Sequence, residues 1–208
     1  ARGELLVLGA NGIHSPAILL RSGLDHPTTG RGIHEQIGYY AEAELDGLDH
    51  FDGGTLTTGL NYSLYDGDFR RTDASALLYF ENRWVHGLRK TYGRWRQVLP
   101  LTIAVEDLPQ DDNRVLLDAD GMPVVHHARN SEYGERGVQR SFDQLARVLA
   151  PLPVERIVFR GLRPTESHVQ GSLRMGRDPA NSVVDADQVH HAVRNLVVVG
   201  SSVFPTGP

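Results

Sequence analysis

Cysteine is absent from all 208 residues. That excludes disulfides, thiolate nucleophiles and cysteine-based zinc sites, and it leaves the compartment open. No apolar run approaches the roughly 20 residues that a membrane helix needs, so no membrane segment is expected. Positive charge is scarce: 21 Lys and Arg stand against 26 Asp and Glu, for a net charge of -5. Nucleic-acid binding, which needs a basic surface, is argued against. The cluster of Trp84, Arg89, Tyr92, Arg94, Trp95 and Arg96 therefore reads as a partly buried strand and loop. The chain has no initiator methionine, and no signal peptide is expected within it. Ala1-Arg-Gly-Glu-Leu-Leu-Val-Leu8 reads as the approach to a strand, and both ends are expected to be cut from a longer polypeptide. A dinucleotide fingerprint is missing as well, because Gly30-Arg31-Gly32 lacks its third glycine and opens no strand–helix unit. There is no Gly-x-Ser-x-Gly elbow. His34-Glu35 starts like a zinc protease motif, but the second ligand position is Gly38. The pairs His126-His127 and His190-His191 would point to opposite faces of a strand. No metal site is expected.

What is present is ordinary globular composition, 40% hydrophobic and 23% charged, long enough for one large domain or two small ones. Glu4-Leu-Leu-Val-Leu8 predicts a buried strand and Gly9-Ala-Asn-Gly12 a tight turn. Ser15-Pro16 predicts a helix start and Gly23 its end. Asn195-Leu-Val-Val-Val199 is too uniformly apolar for a half-exposed strand and predicts a parallel strand covered on both faces. The middle alternates with period two. Tyr39, Ala41, Ala43 and Leu45 alternate with Tyr40, Glu42 and Glu44, and Leu99, Leu101, Ile103 and Val105 repeat the pattern. Val115-Leu-Leu117 and Pro123-Val-Val125 flank Asp120-Gly121, a hairpin turn signal. Val138, Phe142, Leu145 and Leu149 share a helical face, predicting a helix over about 135–150 that covers the sheet. Val154 to Phe159 is a further strand candidate, and 50–75 reads as a long loop. The expected organisation is therefore α/β plus α+β. Segments 1–30 and 165–208 form one layered unit, and 31–164 form an inserted antiparallel-sheet domain.

Two blocks carry the chemistry. Glu166-Ser-His-Val-Gln-Gly-Ser-Leu-Arg-Met-Gly-Arg-Asp-Pro-Ala-Asn-Ser-Val-Val-Asp185 contains His-x-x-Gly-Ser-x-Arg-Met-Gly. Asn195-Leu-Val-Val-Val-Gly-Ser-Ser-Val-Phe-Pro-Thr-Gly-Pro208 follows. Together they resemble the C-terminal part of the glucose–methanol–choline (GMC) flavoprotein oxidoreductases, nearest the branch of pyranose 2-oxidase and bacterial sugar dehydrogenases. Leu8-Gly-Ala-Asn-Gly-Ile-His-Ser-Pro16 resembles the family's Ala-Ala-Gly-Ala-x-x-Ser-Pro segment, with Asn11 where glycine is usual. Asparagine is the next best residue at positive φ. Residues 31–164 match only loosely.

The resemblance implies part of a Rossmann-like FAD-binding domain (1–30 and 165–208) with an inserted substrate domain (31–164). It implies FAD as cofactor, with Gly9, Ala10, His14, Gly200 and Ser201 at the cofactor. Many relatives carry Asp at the position of Gly200, so contact there would be through backbone alone. It also implies His168 as general base in oxidising an alcohol, a sugar or polyol, while hydride passes to the flavin. Arg174 and Asp185 read as braces for the His168 loop. The family's fingerprint lies upstream of Ala1 and its second catalytic residue beyond Pro208, so the remainder of the polypeptide is the expected partner. Two alternatives stay open: a non-catalytic fragment or subunit that completes a flavin site only with a partner, and hydrolase or lyase chemistry on the same scaffold.

Overall fold

The computed structural model describes residues 3–49, 57–81 and 94–207. Residues 50–56 of the expected loop, and Trp84, Arg89 and Tyr92, lie outside the described residues. The chain divides into two compact units: residues 1–35, 107–131 and 167–208, and residues 36–106 and 132–166. Among the described residues, no helix is long and apolar enough to cross a membrane.

In the first unit, β1 (Leu6–Leu8) pairs in parallel with β9 (Leu196–Val198), Leu6 beside Leu196 and Leu8 beside Val198. The two apolar runs at the ends of the chain thus lie side by side. One face is covered, with Leu8, Leu19, Leu173, Val184, Val198 and Val203 in a common core. On the other face Val197 of β9 is half-buried, while Leu5 and Val7 are each 63% exposed, since alternate residues of a strand point to opposite faces.

The helix after β1, α1 (Asn11–Arg21), begins four residues before the Ser15-Pro16 signal. Asn11 takes the left-handed conformation at φ 65°. Its Oδ1 accepts the N–H groups of Ile13 (2.9 Å) and His14 (3.0 Å), which is the work of a cap. Gly23, at φ 70°, closes the other end. Leu24 N–H donates to the Leu19 carbonyl and Gly23 N–H to that of Leu20, a Schellman ending. A hairpin, β6 (Arg114–Leu117) with β7 (Pro123–His126), turns through Gly121 at φ 75°. It clusters with this first unit, as does 31–35, rather than with the middle segment in which the sequence placed them. The cause is long-range pairing: Gly32 N–H donates to the Asn113 carbonyl and Val115 N–H to that of Gly30, both at 2.8 Å.

The second unit is a five-stranded antiparallel sheet. Its strands are β2 (Ile37–Leu45), β3 (Thr57–Asn61), β4 (Ala76–Glu81), β5 (Val98–Val105) and β8 (Val154–Leu162), in the order β3-β4-β5-β2-β8. The stretch read as a loop over 50–75 therefore contains a strand, and it also holds a short 3-10 turn at Asp68–Arg71. The alternation holds: Tyr39, Ala41, Ala43 and Leu45 are buried with Leu101, Ile103 and Val105. Helix α2 (Glu132–Val148) lays Leu145 on that face, and Leu149 follows just beyond it. Two buried polar side chains make hydrogen bonds, Tyr39 on the core face and Glu42 on the opposite face of β2. Tyr39 Oη and Ser141 Oγ are 2.9 Å apart, and Glu42 accepts from Arg160 Nε at 2.6 Å.

Gly137 sets how closely α2 approaches the sheet. A Cβ there would lie 2.5 Å from Ala74 Cβ and 2.9 Å from both the Ala74 carbonyl oxygen and Val105 Cγ1. Replacing a helical glycine by alanine normally stabilises by up to about 1 kcal/mol. Here overpacking, at about 1–3 kcal/mol, outweighs that gain. Gly137→Ala is expected to lower the urea midpoint, and a rise would show that α2 stands further off.

Candidate active site

Three segments of the first unit meet at the first turn of α1. The meeting starts from a proline. Pro16 has no N–H, so the Gly12 carbonyl four residues earlier loses its helical donor. Ser172 Oγ donates to that carbonyl at 2.6 Å. Ser15 Oγ, read as the helix cap, accepts instead from Ala10 N–H at 2.9 Å. A Cβ on Gly12 would lie 2.9 Å from the Val169 carbonyl oxygen, so glycine lets α1 rest against the 167–173 segment. Ser201 Oγ donates to the same Val169 carbonyl at 2.8 Å. Beyond it the two segments run together: Gly171, Leu173 and Met175 N–H donate to the carbonyls of Ser201 (3.1 Å), Ser202 (2.7 Å) and Val203 (2.7 Å).

His168 stands at the end of this ladder and is exposed. Ser167 before it is left-handed at φ 63°. The His168 main-chain N–H donates to Glu35 Oε2 at 3.2 Å. Gly9 and Gly200 are both exposed and follow the C-terminal ends of the paired strands β1 and β9, where Val199 N–H donates to the Leu8 carbonyl at 2.8 Å. Gly200, at φ 93°, turns the chain at the end of β9. Ala10 and Ser201 are half-buried, and His14 is exposed on the first turn of α1. Thus Gly9, Ala10, Gly200 and Ser201 collect at one end of the parallel pair, with the His168 segment bonded to it. Ser202 Oγ is buried there without a hydrogen-bond partner among the described residues. Arg174 and Asp185 are tied into the following loop. Arg174 Nε donates to the Asn181 carbonyl at 3.0 Å, and Asp185 accepts from the N–H groups of Asp187 and Val189 and from Arg194.

Sequence reasoning missed the group behind His168. His34, dismissed as a failed zinc motif, is 2% exposed. It exchanges main-chain hydrogen bonds with Gln170, at 3.1 and 2.9 Å. Its Nδ1 donates to the Gly32 carbonyl at 2.8 Å, which fixes the tautomer. Burial, the largest influence, lowers the His34 pKa against the opposing pull of the Gly32 hydrogen bond and nearby Asp107. Asp107 is also buried, and burial raises its pKa although Ser131 and Leu108 donate to it. Glu35 carried no signal of its own, because its link to His168 spans 133 residues.

The His34 shift gives a signed expectation. The unfolded chain takes up a proton near 6.5 and the folded chain only lower down. His34 therefore contributes stability above 6.5 that is lost as pH falls through its folded value. Asp107 works with the opposite sign, favouring the fold below 3.8 and losing that contribution as pH rises through its raised value. The urea midpoint of the wild type should fall between about pH 8 and about pH 5, and less so in His34→Gln. Parallel curves would show that folding leaves the proton uptake of His34 unchanged.

Residues 109–208 match the sequence profile of the GMC oxidoreductase C-terminal domain. Over 98% of this chain, two curated proteins are similar at 26% identity: the 6'''-hydroxyparomomycin C oxidase of Streptomyces lividus and the paromamine 6'-oxidase of Streptomyces fradiae. The chain spans 41% of the length of each. Among solved structures, pyridoxine 4-oxidase from Mesorbium loti shares the fold at a TM-score of 0.62 and 19% identity, covering 98% of this chain and 48% of that one. The formate oxidase of Aspergillus oryzae RIB40, in which FAD is modified, aligns at a TM-score of 0.59 and 17% identity, covering 98% and 50%.

Proposed function

We propose that this chain, whose residues 109–208 match the GMC oxidoreductase C-terminal domain, forms part of an FAD-dependent enzyme oxidising the CH–OH group of an alcohol. The substrate class is a sugar or polyol, and His168 is the general base. The observation that carries this reading is the convergence of the first turn of α1, the His168 segment and the Gly200-Ser201 turn, tied by the Ser172–Gly12 and Ser201–Val169 hydrogen bonds. These residues fit a flavin dinucleotide. Turns at the C-terminal ends of adjacent parallel strands, and a helix N-terminus, present N–H groups to a pyrophosphate. Gly9, Ala10 and His14 would lie along one side, and Gly200 and Ser201 along the other. When bound, FAD supplies the hydride acceptor.

The protein's own part is to place and deprotonate the alcohol. His168 takes the hydroxyl proton, the general-base task that imidazole most often performs. Glu35 holds the main chain of His168, a residue exposed at the surface of this unit. The names of the two curated relatives make amino-sugar alcohols the first compounds to try. The rest of the polypeptide would supply the dinucleotide fingerprint and a second catalytic group.

Anaerobic mixing of the flavin-loaded protein with a panel of sugars, polyols and paromamine-type amino sugars tests the reading. Loss of flavin absorbance on mixing with at least one alcohol, with carbonyl product formed in equal amount, is expected. Product formed while the flavin stays oxidised would favour a hydrolase or lyase. No reaction with any alcohol would leave a structural role only.

A further inference from the structure

We propose that the first unit carries a phosphate-binding cleft built on Arg31 and Arg114, separate from the turns assigned to the flavin. The two arginines face each other across an isolated antiparallel bridge. The flanking hydrogen bonds run from Gly32 N–H to the Asn113 carbonyl and from Val115 N–H to the Gly30 carbonyl. That pattern makes residues 31 and 114 a non-hydrogen-bonded pair. Such pairs bring their Cα atoms to about 4.5 Å and put their side chains on one face, closer than anywhere else in a sheet. Like charges placed so are destabilising unless something neutralises them.

Nothing among the described residues does so. Several other guanidiniums have carboxylate partners, as in Arg70–Glu106, Arg160–Glu42, Arg174–Asp111 and Arg194–Asp185. Neither Arg31 nor Arg114 makes a side-chain hydrogen bond or ion pair among the described residues, and Arg114 Nε is buried without a partner. Both line a cleft of about 550 Å³ with Asp25, His26 and Thr29.

His26 adds a third donor. Its Nδ1 is engaged by Thr28, 2.9 Å from Oγ1 and accepting the main-chain N–H at 3.2 Å, which leaves Nε2 as the ring nitrogen that can donate to a ligand when it carries the proton. Asp25 lies beyond ion-pair distance of either guanidinium and opposes an anion. Two guanidiniums lining one cleft outweigh one carboxylate, and a guanidinium fork suits the oxygens of a phosphate. A dianionic phosphate, free or as a monoester, fits this cleft better than a monoanion, because it neutralises both forks at once.

The test is calorimetric titration of the flavin-loaded protein with inorganic phosphate and, separately, with a sugar monophosphate, at ionic strength matched with chloride. Saturable binding is expected for at least one of them. It should weaken at least about tenfold in both Arg31→Gln and Arg114→Gln, as losing a charge-assisted hydrogen bond implies. Flavin content and flavin reduction should stay unchanged. Equal affinity for the two ligands would mean that the cleft reads the phosphate group alone, and tighter sugar monophosphate binding that it also reads the attached sugar. Arg31 is exposed, so its variant keeps the fold and the test stays decisive if Arg114→Gln does not. Absence of saturable binding to either ligand, or binding undiminished in Arg31→Gln, overturns the proposal.

Discussion

His168→Ala should slow reduction of the flavin by substrate by roughly 10²–10⁴-fold, the usual loss when a general base is removed. Flavin content should hardly change, because the residues assigned to the pyrophosphate lie at Gly9 and Gly200. Stability should hardly change either. The side chain is exposed and the anchoring bond to Glu35 uses the main-chain N–H, which alanine keeps. Surface changes of this kind stay within about 0.5 kcal/mol. Part of the lost rate should return at high pH, where a more ionised substrate hydroxyl needs the base less. Stopped-flow reduction without oxygen measures this, and a variant reduced at the normal rate would remove His168 from the chemistry.

Gly171→Ala should destabilise the protein strongly. Gly171 sits at φ 84°, and a Cβ there would lie 2.6 Å from His34 Cε1 and 2.8 Å from the Gly32 carbonyl oxygen. The left-handed backbone costs about 1–2 kcal/mol for alanine, and the overlap adds about 1–3 kcal/mol. A loss of about 2–5 kcal/mol and a fall in Tm of roughly 4–20 °C are expected. Gly23→Ala provides the control. Its φ is 70° but nothing lies within 4 Å of a Cβ, so it carries the backbone cost alone. Equal melting temperatures for the two variants would mean that His34 and Gly171 are not packed together.

Local signals account for what the sequence revealed. Apolar runs with glycine turns were enough for β1 and β9, and period-two alternation for β2 and β5. The motif around His168 was legible because its residues are contiguous. The start of α1 was not. A left-handed Asn11 that caps with its own amide leaves Ser15-Pro16 looking like the beginning, and the Gly12 carbonyl freed by Pro16 finds its donor 160 residues away in Ser172. The hairpin at Asp120-Gly121 was visible, but its place beside residues 30–32 is set by main-chain pairing that leaves no mark in composition. His34 and Glu35 failed for the same reason. Their meaning lies in Gln170 and His168, and only the fold brings those residues near.

The most direct test of the account is a crystal structure of the flavin-loaded protein. The pyrophosphate should lie between the first turn of α1 and the Gly200-Ser201 turn, with the His168 imidazole facing the flavin ring from the substrate side. A flavin whose pyrophosphate rests elsewhere, on Arg31 and Arg114 for instance, or a His168 ring turned away from it, would contradict the assignment.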